Sequence, residues 1–135
     1  MRVLCLDIGD VRIGVAVSDP LGISTNGIET HHSQGKEKDV AYFSEMAKNR
    51  ECGKIVLGLP LNMDGTEGDR AALVREFGSL LQEVSGLPVD YEDERLTTVE
   101  AEEMLIEAGL SRQERRKVID KVAAEIILRS YLNKK

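Results

Sequence analysis

The sequence predicts an α/β fold on one mixed five-stranded sheet, in the order βββαβαβαα, with helices on both faces. Three observations carry this. The apolar run Val3-Leu4-Cys5-Leu6 is followed within a few residues by another, Ile13-Gly14-Val15-Ala16-Val17, a separation that only a hairpin spans. Two later apolar runs, residues 54–59 and 89–92, each follow an amphipathic segment long enough to serve as a crossover helix. The 135 residues contain no linker, repeat or shift of composition. The chain therefore reads as one domain, 1–135, long enough for a single core.

Taken in order, residues 3–8 are apolar on both faces, as a buried strand requires. Gly9 and Asp10 make the turn into a strand over residues 13–18. Asp19-Pro20-Leu21-Gly22 forms a further turn, and residues 23–30 are expected to pair as the third strand. His31 and His32 are adjacent, so an extended chain sends them to opposite faces; they read as solvated loop residues and not as a metal pair. Residues 35–50 read as a helix with Val40, Phe43, Met46 and Ala47 on one stripe. "KIVLGL", residues 54–59, is a short buried strand, and residues 60–68 form a loop. The next helix reaches about residue 84, with Ala72, Val74, Phe77, Leu80 and Leu81 inside. After the strand at 89–92, Thr97 and Thr98 offer an N-cap to a helix over 99–108 that stops near Gly109. Ser111 caps the final helix, which runs to Tyr131 or Leu132.

The net charge of −6 argues against a protein that coats nucleic acid by bulk charge. It leaves room for a nuclease whose surplus carboxylates meet a divalent cation. The absence of tryptophan and the few other aromatics argue against the broad base stacking of general single-strand binders. Cys5 and Cys52 lack zinc-ligand spacing and read as buried, reduced thiols. No apolar run approaches the roughly 20 residues that span a bilayer, and the first residues lack a signal-peptide cleavage pattern. The expectation is a soluble, cytoplasmic protein.

Carboxylates stand where they are costly. Asp7, in "LDIGDVRIGVAVSD", shares a face with Val3 and Cys5 in a strand with no other charge. An ionised carboxylate there needs a partner or a metal, or else Asp7 is a turn former ahead of Gly9. Asp90, Glu92, Asp93 and Glu94 crowd the end of the last strand, where α/β sheets gather ligands. Alternation sends Asp93 and Glu94 to opposite faces, and the sequence leaves open which one faces a site. Asp120 extends the apolar stripe of Ala124, Ile127, Leu128 and Tyr131, which suggests either a functional carboxylate or an ordinary salt bridge. If the first and last strands are neighbours, Asp7, Glu94 and Asp120 converge. Such a cluster suits one or two Mg²⁺ or Mn²⁺ ions and phosphodiester cleavage. Arg12 in the first hairpin, Asn62 and Arg70 around the central loop, Arg95, and Arg115, Arg116 and Lys117 beside Asp120 are candidate contacts to a nucleic-acid backbone.

Four blocks, "LDIGDVRIGVAVSD", "IVLGLPLNMDGTEG", "DERLTTVEAEEML" and "KVIDKVAAEIILRSYL", together resemble the YqgF family of RuvC-like nucleases, in the right order and over nearly the whole chain. The resemblance implies an RNase H-like fold and a cytoplasmic, metal-dependent nuclease. It places the metal-binding acids on Asp7, on Glu94 with Asp93 as rival, and on Asp120. Two positions depart from the pattern. Val11 stands where members often carry Lys or another polar residue, leaving a phosphate contact in the hairpin to Arg12 alone. Ala123 stands where RuvC-type junction resolvases place a second aspartate on the last helix.

The expected function is cleavage of structured nucleic acid, in particular processing of the 5′ end of pre-16S rRNA in ribosome biogenesis. Holliday junction resolution in DNA recombination or repair is one alternative, and a non-catalytic nucleic-acid or ribosome-binding protein is the other. Expected partners are pre-rRNA, branched DNA and ribosomal particles, with no membrane, for a monomer or weak homodimer. An actin-like kinase or ATPase uses a similar hairpin against phosphates. Such enzymes build the nucleotide cleft between two domains and use a second glycine-rich loop, which this chain lacks.

Overall fold

The first strand of the chain occupies the middle of the sheet. In the computed structural model, which describes residues 1–134, β1 (Arg2–Ile8) pairs antiparallel with β2 (Arg12–Ser18), and β2 antiparallel with β3 (Thr25–His32). On its other side β1 runs parallel to β4 (Cys52–Leu59), and β4 parallel to β5 (Val89–Asp93). The order across the sheet is β3-β2-β1-β4-β5. Helix α1 (Lys36–Asn49) carries the chain from β3 to β4, and α2 (Asp69–Ser85) carries it from β4 to β5. The crossovers make the parallel pairs, as connections of this length must. α3 (Thr97–Glu107) and α4 (Arg112–Asn133) complete the chain. The expected element order and mixed pairing hold.

Strand alternation divides the interior into two layers. Leu4 and Leu6 of β1 join Ile13, Val15, Ile55 and Leu57 beneath Val40 and Phe43 of α1 and Phe77 and Leu81 of α2. Cys5 points the other way, with Ala16 and Val56, toward Ala124, Ile127, Leu128 and Tyr131 of α4. α3 lies against α4, with Ala101 packed on Ala123 and Ile126. The α4 layer is thin because glycine makes it so. A Cβ on Gly14 of β2 would lie 1.9 Å from the backbone oxygen of Asp120. That contact, more than the paired alanines 123 and 124, sets how closely α4 approaches the sheet.

Several local expectations change. β3 begins at Thr25 and not at residue 23, because Asp19 Oδ1 accepts from the amides of Ile23 (2.6 Å) and Ser24 (3.0 Å) and holds that segment in a turn. β3 also runs through both histidines. His31 is not a solvated loop residue: its Nε2 lies 3.1 Å from Asp39 Oδ1 and its ring stacks on Tyr42. Only His32 is exposed. On α2 the buried alanine is Ala71 and not Ala72, a phase error of one residue. Neither Thr97 nor Thr98 caps α3; Leu96 takes the cap position with φ 64°, and Thr97 is already helical. The Ser111 cap forms as expected and is reciprocal: Glu114 N donates to Ser111 Oγ (3.2 Å) and Ser111 N donates to Glu114 Oε1 (2.8 Å).

The glycine contact gives a direct test. Gly14→Ala forces a methyl group into the α4 backbone, and destabilisation at or above the usual overpacking range, about 3 kcal/mol, is expected in urea unfolding. Loss below about 0.5 kcal/mol would mean that α4 does not bear on β2 at this point.

Candidate active site

Asp7 sits near the end of β1, directly opposite Gly14 in the β1–β2 ladder. It points toward α4, as its shared face with Val3 and Cys5 requires. The acids of β5 sort by the same rule. Tyr91 packs on the α2 side, so Asp90 and Glu92 face α4. Tyr131 Oη donates to Asp90 Oδ2 (2.6 Å), and Ser130 Oγ donates to Glu92 Oε2 (2.7 Å). Glu94 follows in phase just past the strand, where its amide donates to Leu59 O (3.2 Å). It is hydrogen-bonded to Asp7. Asp93 turns away, bonding Arg95 through both carboxylate oxygens (2.9–3.2 Å).

The first and last strands are not neighbours: β4 lies between β1 and β5. Two strand spacings are about 9.6 Å, too far for a carboxylate pair without help. Gly58 of β4 supplies it. A Cβ there would lie 3.1 Å from Glu94 Oε1 and 2.8 Å from Ile127 Cδ1. The bare glycine leaves the lane through which the longer glutamate reaches Asp7.

The electrostatics follow from that burial. Desolvation raises the Asp7 carboxyl, the negative charge of Asp120 adds to the rise, and the bond from Glu94 and the charge of Arg70 pull the other way. Glu94 is raised from the ordinary 4.5 to about 9, first by burial, then by the charge and hydrogen bond of Asp7. The pair therefore shares a proton at neutral pH, with Glu94 donating to Asp7. Cys5, fully buried behind them, has its thiol raised by burial and by the same two acids.

Asp120 lies on the same side of the sheet but is engaged elsewhere. Its Oδ2 accepts from Arg12 Nε at 2.9 Å. Among the described residues no three acidic, histidine or cysteine side chains stand close enough together to hold a metal ion. The structure thus brings Asp7 and Glu94 together and leaves Asp120 in the salt bridge that its sequence also allowed.

The remaining candidates divide similarly. Arg70 Nη1 bonds both oxygens of Asp10 (3.1 and 3.2 Å) while its charge acts on Asp7 and Glu94. Asn62 braces its own loop, donating from Nδ2 to Thr66 Oγ1 (2.9 Å). Arg95 Nη1 ties that loop to the strand end through Met63 O (3.1 Å). Arg115 is half-buried and clamps α4 to the end of α3 through Glu102 (2.8 Å) and Leu110 O (3.0 Å). Arg116 and Lys117 are exposed. Arg112, Arg115 and Arg116 line one recess beside Glu102. Sequence reasoning missed Gly14, Gly58 and Asp10. Gly58 left a trace, a lone glycine inside the apolar run "IVLGL", which marks close approach by another group.

This sheet order, with helices on both faces, is that of an RNase H-like fold. RuvC of Thermus thermophilus, solved in complex with a Holliday junction substrate, has the same fold, with TM-score 0.63 over 99% of this chain and 94% of that one at 14% identity. The fowlpox virus resolvase, solved with Holliday junction DNA, matches with TM-score 0.63 and 12% identity over 99% of this chain and 98% of that one.

The chain belongs to the RuvX family, described as Holliday junction resolvase, which matches residues 1–134. A relative from Leuconostoc mesenteroides, named "Putative pre-16S rRNA nuclease", is 49% identical over 100% of this chain and 96% of its own length. A relative of the same name from Streptococcus thermophilus is 47% identical over 99% of both. The resemblance seen in the four sequence blocks is borne out, and the chain is a hydrolase of the nuclease class.

The shared proton has a sign that can be measured. The folded chain holds a proton on Glu94 that the unfolded chain releases above about pH 4.5. The stability this contributes is full below that value and is lost as pH rises toward about 9. The slope is at most about 1.4 kcal/mol per pH unit for one proton. Glu94→Gln, which keeps a donor to Asp7 without the titration, is expected to flatten the fall in Tm between about pH 5 and pH 9. Parallel curves for the two proteins would overturn the shared-proton assignment.

Proposed function

We propose that the chain, acting as one nuclease domain over residues 1–135, is a divalent-cation-dependent endonuclease of structured RNA, with the 5′ end of pre-16S rRNA as its substrate. The observation that carries this is the half-buried Asp7–Glu94 pair, held together across Gly58. Two carboxylates this close repel when both are ionised, and a cation bound there would offset that repulsion and displace the shared proton. The donors are all oxygen, which fits Mg²⁺ or Mn²⁺ and not a soft metal. Asp7 and Glu94 would hold one ion, and Asp120, once released from Arg12, would add a ligand for it or for a second. Such ions, when bound, supply Lewis-acid charge at the scissile phosphate and lower the pKa of water.

The protein's own residues do the rest. Arg12 exchanges Asp120 for a phosphate oxygen. Arg70, whose charge already acts on both acids, offsets charge that builds on the phosphate. Arg116 and Lys117 follow the backbone along α4. Arg115 fixes their spacing, and Asn62 and Arg95 hold the loop beside the strand ends.

RNA stands ahead of DNA because the curated relatives carry the rRNA name over their whole length. The family description favours a second reading, resolution of branched DNA. Ala123, in place of a second acid on α4, supports plain nuclease activity over junction resolution. No helix of the described residues is long and apolar enough to cross a membrane. A cytoplasmic monomer or weak homodimer working on pre-ribosomal particles fits this reading.

Two measurements test it. A pre-rRNA fragment and a four-way DNA junction are incubated side by side with Mn²⁺ and wild-type protein, Asp7→Asn or Asp120→Asn. Cleavage of the RNA by wild type, abolished in both variants, is expected; equal cleavage by all three would sink the site, and no cleavage would leave a binding protein. In thermal unfolding, Mn²⁺ at a hundred times its Kd should stabilise wild type by about 2.7 kcal/mol. EDTA should reverse the gain, and Asp7→Asn should show almost none.

A further inference from the structure

On the face of the sheet opposite the acids, a pocket of about 230 Å³ opens at the same end of β1. Asp7 and Ile8 are consecutive, so one side chain enters the acidic site and the next enters the pocket. The floor is mostly apolar, with Ile8 and Ile13 from the first hairpin, Val74 and Phe77 from α2 and Leu73 as one wall; the buried Asp39 carboxylate also lines it, already satisfied by Ser33 Oγ (2.6 Å) and the Gln34 amide (2.9 Å). Leu73 is 64% exposed, a large apolar side chain in solvent with no core contact to explain it. The rim is charged, and its charges are paired across the opening. Arg70 bonds Asp10, and Lys36 bonds Glu76. Both pairs are well exposed, so each is weak and exchangeable for a phosphate.

Arg70 belongs to both places. It lines the pocket, and its charge reaches Asp7 and Glu94. The acids and the pocket mouth share one end of β1, joined by the consecutive residues Asp7 and Ile8. A nucleobase is flat and apolar on its faces and polar on its edges. That matches an apolar floor beneath a rim of donors and acceptors, in a volume small for a drug-sized ligand.

We propose that this pocket is a nucleobase subsite, which takes the base of an unpaired nucleotide adjacent to the bond being cut. The proposal rests on the nuclease reading and narrows it. The enzyme cuts beside an unstacked nucleotide, because a base held in a duplex cannot enter without first being extruded. Lys36 and Arg70 leave Glu76 and Asp10 for the phosphates that flank the inserted base. One inserted base is consistent with a chain poor in aromatic residues.

The test has a binding arm and a cleavage arm. Methyl-labelled Asp7→Asn protein, which does not cut, is titrated with a single-stranded RNA hexamer, and separately with uridine monophosphate and adenosine monophosphate. Saturable shifts at the Ile8, Ile13, Leu73 and Val74 methyls with the hexamer are expected, weakened by Leu73→Ala and lost in Leu73→Glu. Leu73 is exposed, so both variants should fold, and circular dichroism checks this. Tight saturation by a free mononucleotide and not by the hexamer would overturn the proposal and mark an effector site.

In the cleavage arm, wild type with Mn²⁺ is given RNA carrying one abasic residue at each position around the cut. One position should slow cleavage roughly tenfold. Leu73→Glu should lose a similar factor on intact RNA, with the two changes together costing no more than either alone. Indifference to abasic residues at every position, or additive losses, would overturn the subsite. Methyl shifts at the pocket without cleavage of any substrate would instead defeat the nuclease reading and leave base binding standing.

Discussion

Asp7 and Glu94 meet although a whole strand separates the elements that carry them, and much of the molecule is arranged to permit it. β4 must pass between them, and it does so as Gly58, without a side chain. The second acid must be the longer one, because an aspartate would not cross the lane. α4 must cover the pair closely enough to desolvate it, and Gly14 lets that helix lie against β2. Each concession weakens packing locally. What results is a pair of carboxylates in surroundings where both cannot carry charge.

The two faces of the sheet divide the labour. The larger core lies under α1 and α2, where leucine, isoleucine and phenylalanine side chains fill the space. That layer supplies most of the hydrophobic stabilisation. The α4 layer is built from alanine, glycine and a few larger residues, and it trades buried area for close approach to polar groups. Its acids are placed one by one: Asp90 on Tyr131, Glu92 on Ser130 and Lys134, Glu94 on Asp7.

Charge near this site is mostly arranged in internal pairs. Arg12 holds Asp120, Arg70 holds Asp10, Arg95 holds Asp93 and Arg115 holds Glu102. The more exposed of these pairs, such as Arg70–Asp10, contribute little to stability. They keep cations at the site in a chain of net charge −6, in positions from which a polyanion can recruit them. A strongly acidic protein thus presents basic groups where its acids converge.

Sequence periodicity was enough to establish the element order, the antiparallel hairpin, the buried face of α4 and the reciprocal Ser111 cap, because each depends on residues a few positions apart. It also supplied Asp7 and Asp120 as carboxylates on apolar faces. It failed where the answer depended on distant partners. His31 looked solvated until Asp39 and Tyr42 from α1 closed over it. Ala71 and Ala72 are chemically alike, and only the lie of α2 on the sheet separates them. The choice between Asp93 and Glu94 needed the face on which Tyr91 packs. The reach to Asp7 needed a glycine thirty-six residues earlier in the chain, at 58 against 94. Local pattern can place a carboxylate where it is costly, but which group shares that cost depends on strand order and helix height, which only the folded chain sets.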